Sequence, residues 1–168
     1  MFFKITHNSD LHKQQINKYI NEISKNNETT ILNYDSKKES FTDVIISRNC
    51  ILISNKLKTI FEKYKKNIIN NRVVWIDSEA QTQEIYWTLN LEILECVSDK
   101  SIVQADSSIK KLVLDKEKIK HECMLLVCMV KDSKSIYAEK SVIFNLAVCE
   151  SLLRRKIVGL DYELIEEE

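Results

Sequence analysis

The chain predicts an α+β fold, a mainly antiparallel sheet with about three helices packed against it, on three observations. VVWIDS from Val73 and EIYWTLNLEIL from Glu84 carry strand periodicity and lie close enough together for a hairpin. Leu57, Ile60, Phe61 and Tyr64 recur at helical spacing. The 168 residues, 44% of them hydrophobic, fall within the size of one domain and show no linker, so a single domain over residues 1–168 is expected.

In chain order, Phe2 to Thr6 reads as a short strand, and Ser9 or Asp10 then caps a helix on which Ile16, Tyr19, Ile20 and Ile23 share a face. Thr29 to Tyr34 is a second strand, and the polar Asp35 to Ser40 is the best candidate for a mobile loop. Phe41 to Ile46 is a candidate strand. Cys50 to Ile53 leads into Ser54, which caps the clearest helix of the first half. After the hairpin, Ile109 to Leu114, Cys123 to Val130 and Ser135 to Ala138 continue in strand fashion. Ser141 is expected to open a helix with Val142, Leu146, Cys149 and Leu153 on its apolar stripe, and Arg154, Arg155 and Lys156 suit the dipole at its end. Leu160 to Ile165 is the final strand, with Leu160, Tyr162 and Leu164 on one face and Asp161, Glu163 and Ile165 on the other.

The single glycine, Gly159, and the lack of proline exclude several sites outright. Phosphate-cradling loops, dinucleotide fingerprints and the nucleophile elbow all need more glycines than this chain has. Turns fall to Asn, Asp, Ser and Lys, and Gly159 is expected to supply a backbone angle that its connection needs. Twenty-five basic residues balance twenty-five acidic ones, which gives no ground for nucleic-acid or membrane-surface binding. The distribution is uneven: residues 1–72 carry thirteen Lys/Arg and seven Asp/Glu, and the remainder carries twelve and eighteen. No run approaches the roughly 20 apolar residues of a membrane span, and the first ten residues lack a secretory signal's apolar stretch, so a cytoplasmic location is expected.

Five cysteines pair neither in CxxC spacing nor with a histidine cluster, which points to core thiols and to no metal site or other cofactor. Cys123 and Cys128, five apart, face opposite sides of a regular strand. A Cys123 nucleophile paired with His121 would need geometry that a strand allows only loosely, and Glu92 with Glu95 reads as solvated surface. No catalytic residue is therefore assigned. Among Trp75, Tyr86 and Trp87, the adjacent pair must face opposite sides, so one belongs to the core and the other, Trp87, is a candidate contact for a partner. Lys63, Lys65 and Lys66 read as a solvated helix end. The acidic C-terminus is the most concentrated charge: Asp161, Glu163 and Glu166 are the candidate partner-binding residues, with Glu167 and Glu168 extending them.

Three blocks in order, CILISNKLKTIFEKY, EIYWTLNLEILECVSDKS and IYAEKSVIFNLAVCESLLRRKIVGLDYELIE, resemble the immunity protein 11 family of bacterial polymorphic toxin systems over about residues 44 to 166. Ser54 and Leu57 fit the family's first helix, Tyr86 to Ser101 its middle block, and Ser141, Leu153 and Gly159 its end. The helix at 10 to 25 has no counterpart. The resemblance implies a non-enzymatic antidote that binds and neutralises a cognate protein toxin in the cytoplasm, and it carries over no catalytic residues. The rival readings are a small enzyme or ligand-binding domain with a polar cleft at His121 or Cys123, and a regulatory or structural subunit. A homo-oligomer is compatible with each.

Overall fold

The computed structural model describes residues 1–7, 23, 29–37, 42–47, 50–104, 109–128, 140–157 and 159–168, and these form an α+β fold. Of the eight ladders with described register, six are antiparallel, in keeping with the expected strand arrangement. The strands do not share one sheet. The chain divides into two compact units, one formed by residues 1–6, 91–156 and 161–168, the other by residues 7–90 and 157–160.

In the unit formed by residues 7–90 and 157–160, five strands are ordered β2-β5-β6-β4-β3. They are β2 (Thr30–Asn33), β3 (Val44–Ile46), β4 (Ile51–Ser54), β5 (Ile69–Asp77) and β6 (Thr82–Leu89). The expected hairpin is present: β5 and β6 pair from Asp77 and Thr82 down to Ile69 and Leu89. Its turn ends on Gln81 at φ 53, and the other described non-glycine residues with positive φ are Asn67 and Lys156. Asn and Lys are the turn residues anticipated in a chain with one glycine, while Gln81 carries no such signal. One face of this sheet packs Leu32, Ile45, Leu52, Val73, Trp75 and Tyr86 with Ile23, the only described residue of the first predicted helix. On the other face, α1 (Asn55–Tyr64) lies against β4 and β6 and buries Leu57, Ile60 and Phe61, as its spacing predicts. Ser54 stands at the N-cap, but its hydroxyl donates to Asp43 Oδ1 at 2.9 Å and makes no capping bond. The Lys56 ammonium also reaches Asp43, at 3.5 Å, so this carboxylate ties the start of α1 to the residue before β3.

A second carboxylate anchors the far end of the hairpin. Asp77, 4% exposed, accepts the backbone N–H and hydroxyl of Ser36 on Oδ2, at 2.8 and 2.5 Å, and the N–H groups of Glu79 and Ala80 on Oδ1, at 2.9 and 3.0 Å. It thus holds the chain leaving β2 against the β5–β6 turn. The Ser36 hydroxyl, followed by the backbone donors, keeps this carboxyl far below its ordinary value. A depressed native pKa makes the charged form favour the folded state. That stabilisation is complete above about pH 4 and is lost as pH falls through the acid range toward the native value. Asp77→Asn is therefore expected to lower stability at neutral pH and to flatten its fall below about pH 4, as read by urea unfolding across that range. Of the proposed mobile loop, Asp35 to Lys37 make the turn that leaves β2, which Ser36 fastens to Asp77, and 38–40 lie outside the described residues.

In the unit formed by residues 1–6, 91–156 and 161–168, the strand order is β10-β11-β1-β12-β9. The strands are β1 (Phe2–His7), β9 (Val113–Leu114), β10 (Met124–Cys128), β11 (Lys140–Asn145) and β12 (Leu160–Glu167); β7 (Ile102–Val103) and β8 (Ile109–Lys111) form a separate two-stranded ladder. The helix expected from Ser141 is corrected here. Lys140–Asn145 is strand, with Ser141, Val142, Ile143 and Phe144 all buried, and α3 covers only Leu146–Arg154. A strand between two others and covered on both faces is a continuous apolar run, and β-branched Val and Ile favour it. Asn145 makes the change to helix by accepting the Val148 N–H at 3.1 Å. The buried stripe of α3 is consequently Val148, Cys149 and Leu152, while Leu146 and Leu153 are 40% and 58% exposed. The one-turn helix α2 (Lys116–Ile119) is capped by Asp115, which accepts from Glu117 N and Lys118 N. The candidate strand at 135–138 lies outside the described residues.

Candidate functional site

The predicted partner-binding residues fall on two surfaces, one in each unit. Asp161, Glu163 and Glu166 lie on β12. By strand alternation Asp161, Glu163, Ile165 and Glu167 share one face, and Tyr162, Leu164 and Glu166 the other. The strand changes the face it buries along its length. Tyr162 is half-buried early on, where burial and then the Cys149 sulfur push its phenol up to about 12. Farther on, Ile165 is in the core with Phe2, Leu114, Leu125 and Ile143, and Leu164 is 61% exposed. Asp161 and Glu163 are left side by side in solvent, with no ion pair among the described residues.

The acidic end beyond them is not a free extension. Parallel pairing of Glu166 and Glu167 with Val113 and Leu114 carries β12 to Glu167. Each terminal carboxylate meets a cation within its own unit: Glu166 with Lys111 at 2.8 Å, Glu167 with the Met1 ammonium at 2.7 Å, and Glu168 with Lys100. Glu166 also faces away from Asp161 and Glu163, so the patch that sequence reading ran through Glu168 narrows to two residues. The charge imbalance between the halves of the sequence shrinks as well. The unit holding β12 carries thirteen Lys/Arg and fifteen Asp/Glu, and the other unit twelve and ten.

The other surface surrounds Trp87. Trp75 and Tyr86 are core residues; the Tyr86 hydroxyl donates to the Thr42 carbonyl oxygen at 2.8 Å. Trp87, as its neighbour on a strand, faces the opposite side and is half-buried, the division that alternation predicts. Its indole N–H donates to Asn55 Oδ1 at 2.9 Å, and the Lys58 ammonium stands 3.7 Å from the ring centroid. Asn55 and Lys58 belong to the first turn of α1 and Trp87 to β6, so two rigid elements fix the ring. Arg72, the cross-strand partner of Trp87, is exposed beside it. Sequence reading singled out the indole and missed both cations, because they reach it only through strand register and helix packing.

Residues considered for chemistry are not assembled. All five cysteines are free; burial pushes the Cys50 and Cys96 thiols up to about 11 and that of Cys149 to about 12, which disfavours the nucleophilic thiolate. His121 is exposed on the turn after α2, and half-buried Cys123 makes no hydrogen bond with it. Among the described residues there is no group of three or more His, Cys, Asp or Glu side chains placed to hold a metal ion. No described helix is long and apolar enough to cross a membrane. His12 lies outside the described residues. No protein-family model, curated protein or solved structure matches the chain.

Proposed function

We propose that the chain is a non-enzymatic immunity protein that binds a cognate bacterial toxin and neutralises it by covering the toxin's active surface or its substrate access. The sequence resemblance over about residues 44 to 166 suggests this role. The observation that carries it is the pair Asp161 and Glu163, two solvent-facing carboxylates on one face of a strand that is anchored on the far side by β9 and by the Glu167 and Glu168 ion pairs. Unneutralised acids on a fixed strand suit a partner with a basic groove and act mainly on encounter.

The test uses the protein encoded by the reading frame adjacent to this one, as the candidate toxin. Co-expression should restore growth to cells that produce it. Asp161→Lys with Glu163→Lys should slow association about tenfold at low salt and much less at high salt, because exposed charges are screened. Glu166→Lys, on the opposite face and paired with Lys111, should change the rate far less. Association rates at two ionic strengths decide it, and an unaltered rate and salt slope in the double variant would remove this face from the interface.

A further inference from the structure

We propose that the β2–β5–β6 sheet face bordering α1 is a second docking surface, and that it takes an acidic, apolar segment of the protein partner. This rests on the protein-binding reading above and names the chemistry of what is bound.

Register places three rows on this face. Ile31, Val74 and Ile85 stand opposite one another on β2, β5 and β6; one row along are Asn33, Ile76 and Gln83, and one row the other way are Arg72 and Trp87. Ile31 is 64% exposed and Ile76, Ile85 and Trp87 are half-buried, while Val74 between Ile31 and Ile85 is 7% exposed, so apolar surface is presented at the sheet's edge and again beside the indole, with Val74 closed over between them. A lone exposed isoleucine needs no explanation, but Ile31, Ile76, Ile85 and Trp87 on three adjacent strands give one sheet face several partly exposed apolar side chains.

Charge identifies the occupant. Lys58 and Arg72 flank Trp87, and neither forms an ion pair with a carboxylate among the described residues. Among the described residues, Asp43 is held by Ser54 and Lys56, Glu84 is on the opposite face of β6, and Glu62, one turn along α1 from Lys58, makes no ion pair with it. A partner that seats aliphatic side chains on this face and presents Asp or Glu to the two cations satisfies both halves of the surface. Trp and Arg are the residues most enriched at binding hot spots, and an indole already fixed by Asn55 and Lys58 loses little conformational freedom on binding. A nucleic-acid strand fits less well, because the face is aliphatic and offers one aromatic ring for stacking, and the unit's twelve basic residues face ten acidic ones.

The experiment follows tryptophan fluorescence of the full chain with three probes: an amphipathic peptide with leucines on one face and glutamates on the other, its lysine counterpart, and oligothymidylate. The glutamate peptide is expected to bind about tenfold more tightly than the lysine peptide. The Lys58→Glu, Arg72→Glu variant should reverse that preference. In Trp87→Phe, which retains Trp75, the fluorescence change should disappear. Equal binding of the two peptides, a preference unmoved by charge reversal, or tighter binding of oligothymidylate would each overturn the proposal. Growth rescue by co-expression tests the immunity role separately, so the peptide result stands whether or not the neighbouring protein proves to be the target.

Discussion

Gly159→Ala is expected to lower the unfolding free energy by about 3 kcal/mol, as a reduced urea midpoint with little change in slope. Two causes act together. Gly159 sits at φ +91, where an L side chain is strained, and a Cβ there would come within 2.6 Å of both Cβ and Cγ2 of Thr42. Thr42 has little room to yield, since its hydroxyl donates to the Val44 carbonyl oxygen at 2.7 Å and its own carbonyl accepts from Tyr86. Pairing the change with Thr42→Ser removes Cγ2 alone, so stability should recover only in part. A midpoint like that of the unaltered protein would show that this close approach is not needed.

Trp75→Ala is expected to cost about 4 kcal/mol, the scale for deleting a buried aromatic side chain. Trp75 is fully buried among Ile23, Leu32, Ile45, Leu52, Val73 and Tyr86, so truncation leaves a cavity bounded by strands whose ladders limit collapse. Trp75→Phe should cost much less. Thermal melting followed by circular dichroism measures both, and Trp87 remains as a fluorescent reporter. Equal melting temperatures for the alanine and phenylalanine variants would contradict a packing role for the indole.

What the sequence made legible is local. The hairpin, the buried face of α1, the opposed orientations of Tyr86 and Trp87 and the special backbone of Gly159 each follow from spacing within a few residues, and the structure has all of them; the alternation of β12 holds only for its first half, since Leu164 is exposed and Ile165 buried. Residues 141–153 misled because Val142, Leu146, Cys149 and Leu153 satisfy helical spacing while Val142, Ile143 and Phe144 also satisfy a strand buried on both faces. Only the neighbours on either side of β11 decide between these readings. The binding surfaces were half legible for the same reason. Trp87, Asp161 and Glu163 stand out by residue type, but Lys58 and Arg72 beside the indole, and Lys111, Met1 and Lys100 against the last three glutamates, are brought there by register and long-range pairing. The link from Asp77 to Ser36 gave no signal, since the two are 41 positions apart.

The place of β1 in its sheet bears on how the protein is made. It sits between β11 and β12, both drawn from the far end of the chain. During synthesis this strand leaves the ribosome before either strand that flanks it in the sheet, and residues 7–90, which hold all five strands of the other sheet, emerge in between. Phe2 and Ile5 must therefore wait for partners while β2 to β6 can already pair. A chain stalled before β11 would hold one sheet ready to form and one apolar strand with nothing beside it, a natural target for a chaperone.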